Sequence, residues 1–234
     1  MKVEIWSDIA CPWCYIGKRR FEQALEQFPH KDQVEVAWRS FQLDPTAPRQ
    51  SDLTMNDALS KKFGMSAEQV AQMDAHMTGL AAAEGLDFRF DRIKSANSFD
   101  GHRLIHFAAK HGKQDAMKER LMHDYWSEGL ALWDTEALVK AATDIGLDAD
   151  EARSTLESDS YSDEVQADIQ QAQDYGITGV PFFAIDETYG ISGAQPAETF
   201  KAALTQAWTA SHPLVKLGET SPGAGTCEGD SCAI

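Results

Sequence analysis

Cys11 and Cys14 stand three positions apart in Ala10-Cys11-Pro12-Trp13-Cys14-Tyr15, where a strand-like run gives way to a helical one. Such a pair can pass electrons, hold half of a metal site, or pack as two buried thiols. In disulfide exchange the thiolate is the nucleophile. A cysteine at a helix start faces unpaired backbone N–H groups and the positive end of the helix dipole, both of which favour the charged sulfur. Cys11 holds that position, so it is predicted to attack, with a lowered pKa. Cys14, one turn further in, is predicted to resolve the mixed disulfide from the buried side. Pro12 fixes the turn between them. Trp13 offers an apolar plate at the rim for a polypeptide or small-thiol substrate.

Three other groupings could take part in chemistry. Cys227 and Cys232, separated by four residues, could close a tetrahedral zinc site with the first pair, or form an auxiliary redox couple with it. The regular helix that follows Cys11 counts against zinc, whose knuckles sit on loops or hairpins. His102 and His106 are spaced i, i+4 and share a helix face, but no third ligand is evident, so they read as polar lining or surface. Gly179-Val180-Pro181 precedes the apolar run Phe182–Ile185, which makes Val180-Pro181 a plausible cis peptide.

These residues need a framework. The chain has 234 residues, 43% of them hydrophobic and 25% charged, the balance of a globular protein. Its net charge of −16 argues against nucleic acid and against an anionic membrane surface as partners. No apolar stretch reads as a secretory signal or a transmembrane helix, and the expected location is the cytoplasm. Four cysteines are too few for a disulfide-stapled scaffold.

Val3–Ile9 reads as a strand, a helix follows Pro12 and stops at Pro29, and residues 34–43 read as a second strand. From about 53 to 175 the pattern is almost wholly helical. Ser66 with Gln69 forms the signature of a capping box, and Val70, Met73, Met77 and Leu80 make an apolar stripe behind it. Leu104, Phe107 and Ala108 mark a helix closed by Gly112. Met117, Leu121, Tyr125 and Trp126 mark the next. Asp134 and Asp148 read as further caps. Phe182–Ile185 and Tyr189–Ser192 form a hairpin around Asp186-Glu187-Thr188, and Pro196 opens a last helix. The fold class is therefore α/β: a β-α-β unit and a β-β-α unit pair into one sheet, with a large all-helical block inserted between them. Residues 1–48 and 175–212 form the discontinuous sheet domain and 49–174 the insertion. Residues 213–234, rich in Gly, Ser and Thr, read as a mobile tail.

Ser7-Asp8-Ile9-Ala10-Cys11-Pro12-Trp13-Cys14 through Phe21 resembles the opening of the DsbA-like thioredoxin-fold oxidoreductases, in particular the FrnE branch. Asn97-Ser-Phe-Asp-Gly-His-Arg-Leu104 resembles that branch's helical-domain motif. Gly176-Ile-Thr-Gly-Val-Pro-Phe-Phe183 and Ser192-Gly-Ala-Gln195 resemble its cis-proline loop and the turn before its last helix. The resemblance runs from Met1 to about Ser211 in the same order. It implies a thioredoxin fold with a helical insertion, a dithiol centre at Cys11 and Cys14, and a cis Pro181 beside them. It also implies that the Val180 backbone binds an extended substrate, that Ser192 and Gln195 border a substrate or glutathione, and that Asn97 and His102 line the helical wall of the cleft. Cys227 and Cys232 would be the auxiliary couple found in some members.

The same superfamily contains 2-hydroxychromene-2-carboxylate isomerases and kappa-class glutathione transferases, which typically carry serine where Cys11 stands. Both cysteines are present here, which favours thiol–disulfide oxidoreductase or isomerase activity on disulfide-containing proteins or small thiols. The redox-active disulfide is then the working group and no tightly bound cofactor is expected. Glutathione stays open as a co-substrate, as does a glutathione-dependent isomerase or transferase. A zinc-binding or chaperone-like module is the remaining alternative, and the oligomeric state is left open. Trp13 replaces the histidine of periplasmic relatives, and an uncharged indole stabilises the thiolate less. With Asp8 nearby, the pair is expected to be less oxidising and to work in reduction or isomerisation.

Overall fold

The computed structural model describes residues 1–51 and 53–213. The expected mobile tail, with Cys227 and Cys232, lies outside the described residues apart from Pro213. The sheet domain begins with β1 (Lys2–Ser7), α1 (Pro12–Glu26) and β2 (Glu35–Ser40). It ends with β3 (Phe182–Ile185), β4 (Tyr189–Ser192) and α9 (Ala197–Ser211). The strands order as β2-β1-β3-β4. β1 runs parallel to β2 and antiparallel to β3, and β3 runs antiparallel to β4. In register, Ser7 faces Ser40 and Trp6 faces Phe182, so the end of β1 lies beside the start of β3. That crossing brings the cysteine turn and the proline loop to the same end of the sheet.

β1 is buried on both faces from Val3 to Ser7, because helices cover both sides. One of those buried residues is Glu4, whose carboxylate is held by Arg39 and by Lys2. Phe21, Phe183 and Phe200 pack together under α1 and α9, with ring centroids 4.5–5.8 Å apart. The β3–β4 hairpin turns through the three residues Asp186, Glu187 and Thr188, with Asp186 and Glu187 left-handed at φ 48° and 52° and the Thr188 N–H donating to the Ile185 carbonyl at 3.0 Å.

Between β2 and β3 lie α2 (Met55–Phe63), α3 (Ala67–Ala83), α4 (Phe99–Lys110) and α5 (Gln114–His123). They are followed by α6 (Thr135–Asp144), α7 (Ala149–Glu157) and α8 (Ser162–Asp174). The capping box forms as the spacing predicts: Gln69 N–H donates to Ser66 Oγ, and Ser66 N–H donates to Gln69 Oε1 at 2.8 Å. Asp134 and Asp148 cap α6 and α7.

Two boundaries differ from the periodicity. β2 stops at Ser40, whose N–H donates to the Asp168 carboxylate rather than to a neighbouring strand. Asp8 then takes the Leu43 N–H. α5 stops at His123, and a π-helical turn over Asp124–Glu128 carries Tyr125 and Trp126 into the core before Gly129 ends it at φ 76°.

Candidate active site

β1 delivers the chain to a buried turn, Asp8-Ile9-Ala10, and Cys11 then stands at the N-cap of α1 in extended geometry. The Cys11 N–H donates to the Asp8 carbonyl at 3.3 Å, and the Cys14 N–H donates to the Cys11 carbonyl at 3.1 Å. Pro12 takes the first helical turn, where its missing N–H leaves no hydrogen bond broken. Both thiols are unbonded and nearly buried, Cys11 at 3% exposure and Cys14 at 1%. Trp13 between them is 40% exposed and forms the rim.

The opposite wall is the loop before β3. Val180-Pro181 is cis, and the Cys11 thiol donates to the Val180 carbonyl at 3.7 Å. The loop is held from both sides. Gly193 N–H donates to the Pro181 carbonyl at 2.8 Å, and the Pro181 ring packs against Gly17 of α1. Ser192 and Gln195 are exposed on the neighbouring turn. The Gln195 amide donates to the Ser192 carbonyl at 2.9 Å, so it is tied into its own turn. Arg20 bridges this turn to the insertion: it donates to the Ala194 carbonyl at 2.7 Å and pairs with Glu84 at 2.6 Å.

The floor of the site belongs to the helical insertion. Trp126 Nε1–H donates to the Ile9 carbonyl at 2.9 Å. Gly101 of α4 lets that helix lie against Ile9, since a Cβ there would stand 2.5 Å from Ile9 Cδ1. Tyr15 of α1 donates to Glu119 of α5 at 2.7 Å, and Lys18 pairs with Glu119 at 3.0 Å. Active-site helix and insertion are thereby locked together.

The expectation that His102 lines a cleft is corrected, and Asn97 is half-buried just before α4. Asn97 staples a loop, donating to the Pro45 and Ala47 carbonyls and accepting from Gln42 and the Phe99 N–H. His102 is 1% exposed, so no substrate reaches it, and its Nε2 sits 3.4 Å from the buried Asp8 carboxylate. Its partner His106, also on α4, lies instead with Ser40 and Asp168 at the edge of β2. Burial pushes the His102 pKa down, against the pull of Asp8.

The electrostatics at the pair are mixed, and the simple expectation of a helix-ionised Cys11 does not hold for the dithiol. The hydrogen bond with the Cys14 side chain, burial, the charge of Cys14 and the nearby Asp8 push the Cys11 thiol up. The Cys14 backbone N–H alone opposes them. Burial also pushes Asp8 up, but hydrogen bonds from His102, Leu43 N–H and Ser98 outweigh it and hold the carboxyl below its ordinary value. Asp8 is thus a lasting negative charge beside the cysteines.

A further ionisable group, absent from the motifs above, stands buried near the site. Lys118 of α5 is 1% exposed, donates to the Ser7 carbonyl at 3.2 Å and lies 5.6 Å from the Trp38 ring centre. A signal for it existed: Lys118 sits three and four positions before Leu121 and Met122, inside the apolar stripe of its helix. Among the described residues no three His, Cys, Asp or Glu side chains gather as metal ligands. The zinc alternative rests on Cys227 and Cys232, outside those residues.

A mixed four-stranded sheet interrupted by helices, with a two-cysteine helix start facing a cis-proline loop, defines a DsbA-like thioredoxin fold. A model of the DSBA-like thioredoxin domain matches residues 2–205, and the chain belongs to that family. It is 46% identical to a probable DsbA oxidoreductase from Streptomyces coelicolor, with a TM-score of 0.87 over 100% of this chain and 99% of that one. It is 29% identical over 208 residues to the uncharacterized protein YwbO of Bacillus subtilis, covering 87% of this chain and 95% of that one. The cytosolic disulfide reductase DsbM of Pseudomonas aeruginosa shares the fold at 16% identity, with a TM-score of 0.64 over 90% of this chain and 100% of that one.

Proposed function

We propose that this DsbA-like oxidoreductase exchanges disulfides through the Cys11/Cys14 dithiol, as a reductase or isomerase of disulfide-containing proteins or small thiols. The observation that carries this reading is the Cys11 thiol set 3.7 Å from the Val180 carbonyl, where an extended substrate would pair with the loop backbone. Cys11 attacks a substrate sulfur as the thiolate, and one substrate thiolate leaves. Cys14 then attacks Cys11 Sγ. The Cys11–Cys14 disulfide forms, the mixed disulfide breaks, and the second substrate sulfur departs with the electron pair. Trp13 supplies apolar contact at the rim.

Two features favour reduction or isomerisation over net oxidation. Trp13 brings no positive charge to the pair, and Asp8 disfavours the Cys11 thiolate, which weakens the reduced state. The cytosolic setting of DsbM supports a cytoplasmic location and the same direction. A DsbM structure with GSH supports glutathione as co-substrate here, bordered by Ser192 and Gln195. Residues 49–174 act as the inserted helical domain, and Cys227 with Cys232 as an auxiliary couple that exchanges with the first pair.

The test is insulin-disulfide reduction and scrambled-ribonuclease refolding with wild type, Cys11→Ser and Cys14→Ser. Cys11→Ser is expected to lose both activities. Cys14→Ser is expected to accumulate a mixed disulfide with the substrate. Full activity in Cys11→Ser would overturn the reading.

A further inference from the structure

Helix α2 buries none of its residues, whereas each of α3 to α8 buries several. What ties it down is largely polar. At its start the Met55 N–H donates to the Ile93 carbonyl at 3.0 Å, and at its end Lys62 pairs with Asp44 at 2.7 Å. Toward α3, the Asn56 amide donates through Nδ2 to Asp74 Oδ2 at 2.7 Å. This last contact is half made. Asn56 Oδ1 and Asp74 Oδ1, the other oxygens of the same two groups, are buried and have no hydrogen-bond partner among the described residues. While the carboxyl is ionised both atoms are acceptors only, so neither satisfies the other, and buried acceptors without a donor are costly. One proton answers both. An amide and a carboxylic acid can join through two parallel bonds, and the two atoms left over here are the two that the second bond would join. No charged side chain among the described residues neutralises Asp74 instead. On α2, Asp57 is held by Thr54, Lys62 by Asp44, and Lys61 is exposed. On α3, Glu68 and His76 are exposed. On α1, which packs against α3, Arg20 is held by Glu84, and Lys94, beside Thr54, lies over the Trp133 ring.

We propose that Asn56 and Asp74 form a proton-operated clasp between α2 and α3. With the proton on Asp74 the pair closes through two hydrogen bonds and holds α2 down; without it, two unsatisfied oxygens loosen the helix. The proton comes from solvent, and no other bond is made or broken. This inference stands apart from the disulfide-exchange reading. Its sign follows from burial, which pushes the Asp74 carboxyl above its ordinary value of 3.8, against the Asn56 amide, which pulls it down. Between 3.8 and the higher folded value, the folded chain keeps a proton that the unfolded chain has lost. Stability therefore falls as pH rises through that window and stays at the lower level above it. The clasp lies on the approach to the cysteine turn. Lys62, at the end of α2, pairs with Asp44, and the N–H of the adjacent Leu43 donates to the Asp8 carboxylate. Leu43, Leu53 and Phe63, exposed at 47%, 41% and 64%, belong to α2 and the segment leading to it. Closing the clasp fixes these apolar side chains against α3, and opening it lets them move with α2.

The experiment is amide hydrogen exchange across α2 between about pH 4 and 8, corrected for the intrinsic exchange rate, in wild type, Asp74→Asn and Asn56→Leu. In wild type, protection of Met55–Phe63 is expected to fall by about tenfold as pH rises, while protection of α5 stays level. Asp74→Asn puts a second amide in place of the acid, and its N–H can reach Asn56 Oδ1 at every pH. It is expected to keep the acid-level protection throughout. Asn56→Leu, which removes one half of the clasp, is expected to give low protection with no pH dependence. Wild-type protection that does not change with pH overturns the proposal. So does Asp74→Asn protection that still falls with pH, because the titrating group would then lie elsewhere. Asp74→Asn protection below that of wild type at neutral pH also overturns it, because a water or a cation would then be bridging the two oxygens. A measurement on the unmutated protein guards against variants that do not fold. In 13C-carboxyl-labelled wild type, Asp74 should titrate with a midpoint above 3.8, and the Asn56 side-chain amide signals should follow the same curve. A midpoint at or below 3.8, or amide signals that ignore the titration, overturns the assignment.

Discussion

The Cβ that Gly17 lacks would stand 2.9 Å from Cγ of Pro181 and 3.4 Å from the Cβ of Ala194. Helix α1 therefore fixes both the cysteines at its start and the loop that faces them, and the missing methyl sets the spacing. A pyrrolidine ring gives way less easily than the tip of a flexible side chain, so Gly17→Ala must push the Pro181 loop off the helix. Ala improves helix propensity by about 1 kcal/mol, whereas overpacking costs ~1–3 kcal/mol. Expected is a small net loss of stability in urea unfolding. Disulfide-exchange kcat/KM should fall by about tenfold or more, since misplacing a substrate-aligning wall is costly. Wild-type turnover in the variant would show that the loop spacing does not matter.

Asp8→Asn removes the fixed negative charge beside Cys11. The Cys14 hydrogen bond, burial and the Cys14 charge would still hold the Cys11 thiol up, but the contribution of Asp8 is gone. The thiolate gains, and with it the reduced pair, so the protein becomes more oxidising. Equilibration with a glutathione buffer should shift toward the reduced protein by up to about tenfold, or ~30 mV. Iodoacetamide should alkylate Cys11 faster at pH 7. A potential that is unchanged, or more negative, would sink this account.

The cysteine turn was legible because a strand-like run meets a helix-start proline in adjacent residues, and the proline loop because Pro181 stands directly before an apolar strand. The helical insertion was legible from caps and 3.6-residue stripes, and Ser66 with Gln69 behave as their spacing predicts. The floor of the site was not. Asp8 meets His102 94 residues away, and Lys118 meets Ser7 111 residues away. Neither contact leaves a local period. His102 shares a helix face with His106, which suggested a shared role. The fold sends one to the cysteine turn and the other to Asp168. Spacing along one helix reports a face, and only packing decides what that face meets.

Glu119 carries the ionic lock between α1 and α5. Burial pushes its carboxyl up, but hydrogen bonds from Arg19 and Tyr15 and the charge of Lys18 bring it down to about 2, from an ordinary value of 4.5. A carboxyl depressed on folding contributes stability above its unfolded value and loses it as pH falls toward the folded one. Glu119→Gln should therefore cost about 1–2 kcal/mol at neutral pH, allowing for its partial exposure. That difference should shrink as pH drops from 4.5 toward 2. Urea unfolding of both proteins at pH 7 and at pH 3 checks it. A gap that stays constant between the two would mean that the charge on Glu119 is irrelevant.

Lys118 makes the opposite prediction for alkaline pH. Its pKa falls from 10.5 to about 8 because burial disfavours the ammonium. In the oxidised protein no thiolate opposes that effect, so the value is no higher. Below about pH 8 the lysine is protonated in both the folded and the unfolded chain, and the full cost of burying its charge weighs against folding. Between about 8 and 10.5 the folded chain sheds the proton first, and the cost fades. Replacing an unpaired buried charge with an apolar side chain of similar length removes a cost on the order of 1–3 kcal/mol, less whatever the lost hydrogen bond to Ser7 contributed. Oxidised Lys118→Met should thus be more stable than oxidised wild type at pH 7, and the advantage should narrow by pH 10. Unfolding in urea without reductant at the two pH values measures it. An advantage that is absent at pH 7, or that grows with pH, would show that the ammonium is not buried alone.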